Sequence, residues 1–213
     1  MIEKIDKEEW EKCQAFEKDW WSRHLEALKS GTVKETPSKW VFFDNEFMHK
    51  YLIDNAKDKL VIDIGCGPNM MHIIGRIGCR LGIAVDPLLN EYRASGWPVP
   101  YNDKCIPISS RSEELPIMDE YADIIVTVNA LDHMYDALLS VKEMVRVLKT
   151  GGLLFINSDM RTPEQRQEGH MICIDEEFAK KIVIDNKLQV IYEKAEQLAR
   201  KGPLETLQRI YKK

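Results

Sequence analysis

The sequence predicts an α/β fold, a mostly parallel sheet with helices on both faces, preceded by a helical N-terminal extension. Three observations carry this. Five short runs, "LVIDI", "GIAVD", "CIPIS", "ADIIVTV" and "GLLFIN", are apolar on both sides, as strands of a sheet covered on each face must be. Helix-like stretches alternate with the runs. A glycine-rich turn, Gly65-Cys66-Gly67, follows the first of them, at the place where an open parallel sheet holds its ligand.

Taken in order, Trp10, Cys13, Phe16, Trp20, Trp21, Leu25 and Leu28 recur at helical spacing, and Gly31 follows as a stop. The segment from Thr32 to Lys39, with Pro37, reads as a linker, so residues 1–39 form the extension, a candidate lid, and residues 40–213 the main domain. A second helical pattern runs through Phe43, Phe47, Met48, Tyr51 and Leu52. Beyond the glycine turn, "DALLSVKEMVRVLK" is a strongly periodic helix that Gly151 and Gly152 are expected to stop. A helix from about Asp175 to Asn186 and two closing strands, "LQVIYEK" and "TLQRIYKK", complete the chain.

The composition narrows the function. Thirty basic residues against 35 acidic ones give a net charge of −5, and the basic residues form no stripe, so a nucleic-acid surface is not indicated. No apolar run approaches the roughly 20 residues of a membrane span. The charged N-terminus lacks the apolar core of a signal peptide, and a cytoplasmic protein is expected. Five scattered cysteines without a CxxC pair favour neither a disulfide framework nor a zinc site, and no metal is expected.

The turn "VIDIGCGPN" admits three readings. A phosphate loop needs a lysine and a hydroxyl that are absent here, and is excluded. A dinucleotide fingerprint needs glycine where Met70 stands, and Pro68 directly follows the second glycine, which weakens that reading. The third is a nucleoside ligand without phosphates, such as S-adenosylmethionine, whose amino acid end lies against the turn. Gly65 and Gly67 let a ligand approach the backbone, and Asp63 at the strand end offers a carboxylate for the ligand ammonium. The second strand ends in Asp86, about 20 residues on, where a carboxylate can accept both ribose hydroxyls. Pro87 then ends the strand.

In order and spacing, "VIDIGCGP", "IAVDP", "EELP", "YADIIVTVNALDHMYD" and "EMVRVLKTGGLLFI" resemble class I S-adenosylmethionine-dependent methyltransferases, particularly the methyltransferase type 11 group, over about residues 60 to 157. The resemblance implies a Rossmann-like sheet of seven strands with the last antiparallel, and S-adenosylmethionine as cofactor. Carried over by position, Gly65 and Gly67, with Cys66 between them, would contact the methionine part. Asp86 and the adjoining Pro87 would meet the ribose, and Ser112 with Glu113 the adenine. Where the family often has an acid beside the adenine, this chain has Arg111, so the adenine amino group needs another partner.

Methyl transfer from a sulfonium is an in-line displacement, so the protein must align, desolvate and, for an oxygen acceptor, remove a proton. Asn129, at the end of the fourth strand, reaches the rim of the cofactor site. His133 is the candidate general base, because histidine titrates near neutrality, with Asp132 or Asp136 orienting or charging it. The opposing reading of His133 is a helix cap or cofactor contact. His170 and the tryptophans Trp20 and Trp21 are candidates for the acceptor side, the latter as an aromatic lid. The expected function is methylation of a small molecule, on oxygen, with a sugar-type acceptor suggested by "IAVDPLLNEY" and "NALDH". A cofactor-binding sensor or partner protein without turnover is the alternative, and a nicotinamide-dependent oxidoreductase a third class.

Overall fold

The computed structural model describes residues 3–33, 45–68, 73–97, 104–197 and 204–213. The expected linker around Pro37, Phe43 of the second helical pattern and Met70 of the glycine turn lie outside them. The elements run α1 (Lys7–Lys29), α2 (Glu46–Ala56), β1 (Leu60–Ile64), β2 (Leu81–Val85), α3 (Leu89–Ala94), β3 (Cys105–Ile108), β4 (Ala122–Val128), α4 (Ala137–Val147), β5 (Leu148–Asp159), α5 (Glu176–Asn186), β6 (Gln189–Gln197) and β7 (Glu205–Lys212). Four helices begin on a side-chain cap: Asp6 accepts from the Glu9 N–H, Asn45 from Met48, Asp136 from Leu139 and Asp175 from Phe178. Each cap satisfies a backbone donor that the helix itself cannot.

Seven strands make one sheet in the order β3-β2-β1-β4-β5-β7-β6. The pairings from β3 through to β5 are parallel, whereas β7 runs antiparallel to both β5 and β6. The chain order therefore reverses between β1 and β4, and the crevice at such a switch lies beyond the strands' carboxyl ends. Side-chain alternation splits the core in two. Ile62, Ile64, Ile125 and Ile156 pack with Val141 and Met144 of α4 and Phe178 and Ile182 of α5. Val61, Val126, Phe155 and Ile210 pack with Met48 and Leu52 of α2.

α1 spans two clusters. Its Cys13 joins the α4–α5 cluster, while Leu25 packs with Ala84, Leu88, Tyr92 and Trp97, so the helix crosses the end of the sheet where the crevice opens. No helix among the described residues is long and apolar enough to cross a membrane.

Two expectations change. Helices do not separate every pair of strands: residues 73–78 between β1 and β2 are turns, and no helix lies between β3 and β4 among the described residues. Gly151 and Gly152 do not stop α4, which ends at Val147, and Leu148 already pairs with Ala122 of β4. The glycines instead lie inside β5, where the register with β4 shifts between Ala122 and Ile124. Gly151 takes a φ of +81° there, a conformation that glycine adopts at little cost.

Candidate active site

A cavity of about 230 Å³ opens at the switch point and is lined by the ends of β1, β2 and β4, by the segment 110–113 and by α1. Of the residues singled out in the sequence, Asp63, Gly65, Cys66, Gly67, Asp86, Pro87, Ser112, Glu113, Asn129, His133 and Trp21 line it. Trp20, Asp132 and His170 are not among its lining residues.

The glycine turn is fixed by backbone requirements. Gly65 and Gly67 have φ of +71° and +60°, where a side chain is strained, and a Cβ on Gly65 would collide with that of Ala130. The Asp86 carboxylate holds the turn: Oδ2 accepts the Gly67 N–H and Oδ1 the Leu88 N–H, each at 2.9 Å. Each oxygen keeps lone-pair capacity for a ligand donor. Burial pushes the Asp86 carboxyl up to about 6, against those two hydrogen bonds. Burial, with the Asp86 charge beside it, pushes Asp63 up to about 7. Burial also raises the Cys66 thiol well above its usual range, so that sulfur stays protonated and packs against the wall.

Asn129 directly follows β4 with φ +51°, its N–H bonded to the Asn157 carbonyl at 2.7 Å. Its side-chain oxygen is buried without a hydrogen-bond partner, so it has acceptor capacity to spare at the cavity wall. Ser112 and Glu113 are already engaged. The Ser112 hydroxyl bonds that of Ser140 at 2.9 Å, and Glu113 Oε1 accepts the N–H groups of Tyr135 and Asp136 at 2.8 and 3.0 Å. Arg111 pairs loosely with Glu114 at 3.9 Å and lies over the Trp10 ring.

The histidine side of the cavity is a charged network. His133 sits in a short turn, Leu131–His133, with its Nε2 3.6 Å from Asp132 Oδ1 and its Nδ1 3.4 Å from Glu17 Oε1 of α1. Burial works against the imidazolium, but the Asp132 and Glu17 carboxylates outweigh it and raise the His133 pKa. Asp132 also takes His170 Nδ1 at 2.7 Å and Arg161 Nε at 3.4 Å. Burial opposes its ionisation, yet His133, His170 and Arg161 together hold its carboxyl well below the usual range. Asp136 does not join this network; it caps α4 and pairs with Lys4.

Asp132, His133 and His170 present possible metal-ligand atoms within 4.8 Å of one another. His170 Nδ1 and Arg161 Nε both meet Asp132 Oδ2, whereas Oδ1, 3.6 Å from His133 Nε2, is buried without a hydrogen bond. Of the two tryptophans, Trp21 reaches the cavity: its ring lies over Gly67, and its Nε1 donates to Glu17 Oε2 at 3.2 Å. Trp20 packs on Trp21 and His24 instead. Glu17, Gln14 and Trp10 line the cavity as well and were not singled out. All three lie on α1, whose periodicity reports which side is apolar but not what its polar residues meet.

The group implied by this geometry fits the residues. Two buried carboxylates, an unpartnered amide oxygen and a turn lined by backbone suit a ligand with an ammonium, hydroxyls and a positive centre, and nothing at the turn supplies the lysine a phosphate loop uses.

Comparison with known proteins agrees. The methyltransferase domain family, type 11, matches residues 62–156. No curated protein matches the sequence. A putative S-adenosylmethionine-dependent methyltransferase from Listeria monocytogenes has a TM-score of 0.62 at 13% identity, over 78% of this chain and 97% of that one. A chain from the complex between the Haloferax volcanii Trm112 methyltransferase activator and the putative methyltransferase gives 0.60 at 15%, over 79% and 91%. The geranyl diphosphate C-methyltransferase of Streptomyces coelicolor, solved with Mg2+, geranyl diphosphate and S-adenosyl-L-homocysteine, gives 0.58 at 14%, over 78% of each chain. At such identities the likeness is one of fold. The family match falls on the stretch that builds the glycine turn and runs from β1 into β5, so this part of the chain is similar to the type 11 methyltransferase domain, and the fold is shared with solved S-adenosylmethionine-dependent methyltransferases.

Proposed function

We propose that the protein methylates a hydroxyl of a small molecule, with His133 as the general base. The observation that carries this reading is the position of His133, in the wall of the cavity that contains the glycine turn and between two carboxylates. When bound, S-adenosylmethionine supplies an electrophilic methyl group on a positive sulfur. The chain's own residues do the rest. Gly65, Cys66 and Gly67 offer backbone to the methionine part, Asp63 takes its ammonium, and Asp86, beside Pro87, takes the ribose hydroxyls. Asn129 offers its free oxygen at the rim. Ser112 and Glu113, whose side chains are engaged elsewhere, flank the adenine through their backbone.

His133 accepts the acceptor's proton, while Asp132, beside Nε2, stabilises the imidazolium as a positioning residue. His170 supports Asp132 rather than touching the acceptor. Residues 1–39 act as a lid on the domain formed by 40–213, with Trp21 as the aromatic group that excludes water. Trp10 and Trp21 beside polar Gln14 and Glu17 suit a sugar-type acceptor. The net charge of −5 supports a small acceptor over nucleic acid, and the five free cysteines support a reducing, cytoplasmic setting.

The test is turnover with radiolabelled S-adenosylmethionine and a panel of hydroxylated small molecules. Replacing His133 with Ala should lower the rate about 10²–10⁴-fold and leave S-adenosylhomocysteine binding in place. Binding without turnover on any acceptor would favour the alternative, a sensor or partner protein.

A further inference from the structure

Glu17 has no role in anything derived from the sequence, and it lies 116 positions from His133 in the chain (133 minus 17). Its side chain is 19% exposed, facing the cavity. One oxygen, Oε2, accepts the Trp21 indole N–H at 3.2 Å, and the other, Oε1, lies 3.4 Å from His133 Nδ1. Trp21 in turn covers Gly67, and the Gly67 N–H is held by Asp86. A continuous line of contacts therefore runs from the cofactor turn through Trp21 and Glu17 to the base.

We propose that Glu17 is a positioning residue for His133, holding the ring and stabilising its protonated form from α1, so that this helix is part of the methyl-transfer machinery. The proposal deepens the reading of His133 as base and rests on it.

The charge arrangement requires a partner at that place. Nε2 of His133 faces the buried Asp132, which leaves Nδ1 toward Glu17, buried and without a hydrogen bond. In the imidazolium Nδ1 carries an N–H that needs an acceptor, and Glu17 Oε1 is the anionic group facing it. The Gly169 backbone carbonyl also lies against the ring and favours its protonated form. Asp132 belongs to the same turn as His133, and His170, its ring centre 4.3 Å away, is bonded to Asp132. Arg161 pairs with Asp132 and Asp159. Asp86, at the end of β2, is engaged by Gly67 and Leu88. Glu17 is the contribution from α1.

The experiment is an NMR titration of the full-length protein labelled in its histidine rings, with the His133 signal assigned by its loss in His133→Asn. Wild type is compared with Glu17→Gln and Glu17→Asp, and S-adenosylhomocysteine binding is measured on the same samples. The expected result is a His133 pKa about one unit lower in Glu17→Gln, partly restored in Glu17→Asp, with cofactor binding and melting temperature close to wild type. A merely structural Glu17 would move the melting temperature and leave the titration alone. An unchanged His133 titration in folded Glu17→Gln overturns the proposal. Failure of wild type to bind S-adenosylhomocysteine would instead overturn the methyltransferase reading, whatever the histidine does.

Discussion

Two acids in this protein are buried to the same degree and shift in opposite directions. Asp63 and Asp132 are 3% and 2% exposed, so water solvates neither. Asp63, at the end of β1, faces a second carboxylate, Asp86, and its pKa rises to about 7. Asp132, beyond the end of β4, touches His133, His170 and Arg161, and its pKa falls well below the usual range. Burial alone therefore does not set the state of a carboxylate; the charge of its neighbours does. The Asp132 side carries its own cations. The Asp63 side has a second carboxylate instead, and under the proposed function the ammonium of the ligand would supply the missing cation.

The same substitution at the two positions should have opposite effects. Asp132→Asn leaves the buried Arg161 short of a partner and should destabilise the protein by about 3 kcal/mol, in the range for breaking buried ion pairs, read as a lower denaturation midpoint. Little or no loss would mean that Arg161 and the histidines do not depend on that carboxylate.

Asp63→Asn should stabilise the ligand-free protein at pH 8 by about 1–3 kcal/mol while weakening cofactor binding. The sign follows from the raised pKa. Between the unfolded value near 3.8 and the folded value near 7, the folded chain keeps a proton that the unfolded chain has lost. That contribution is complete below pH 4 and disappears as pH rises through 7. The gain from Asp63→Asn should accordingly shrink as the pH is lowered from 8 to 4. Asp132 behaves in reverse, contributing stability above pH 4 that is lost on acidification.

The smallest effect concerns the paired tryptophans. Trp21→Ala should cost about 1–2 kcal/mol in cofactor affinity, because its ring covers Gly67. Trp20→Ala should leave the affinity unchanged. Equal effects would mean that the aromatic cluster acts only through the stability of α1.

The sequence carried the half of the site that is local. β1, β2 and β4 were legible as apolar runs, and Asp63, Gly65, Gly67 and Asp86 followed from the ends of those runs, because a parallel sheet sends its strand ends to one edge. The antiparallel end of the sheet came from the family resemblance. The network around Asp132 was legible only in part. His133 and Asp132 stand together in the chain, but Arg161, Glu17 and the 2.7 Å bond from His170 join segments far apart in sequence. Helical periodicity singled out Trp20 and Trp21 equally, and only the rotation of α1 against the sheet separates them. The end of α4 was misplaced because Gly151 and Gly152 look like a helix stop, whereas they form an irregularity inside a strand already begun at Leu148.

Calorimetric titration with S-adenosylmethionine at pH 6 and pH 8, in wild type and Asp86→Ala, tests the central claim most directly. The carboxylates of Asp63 and Asp86 should bind the cationic ligand once ionised, so one molecule per chain should bind, more tightly at pH 8, and about 100-fold more weakly in Asp86→Ala, as expected for losing two charge-assisted hydrogen bonds. Tight binding of NAD in place of S-adenosylmethionine, or an affinity indifferent to Asp86, would contradict the account.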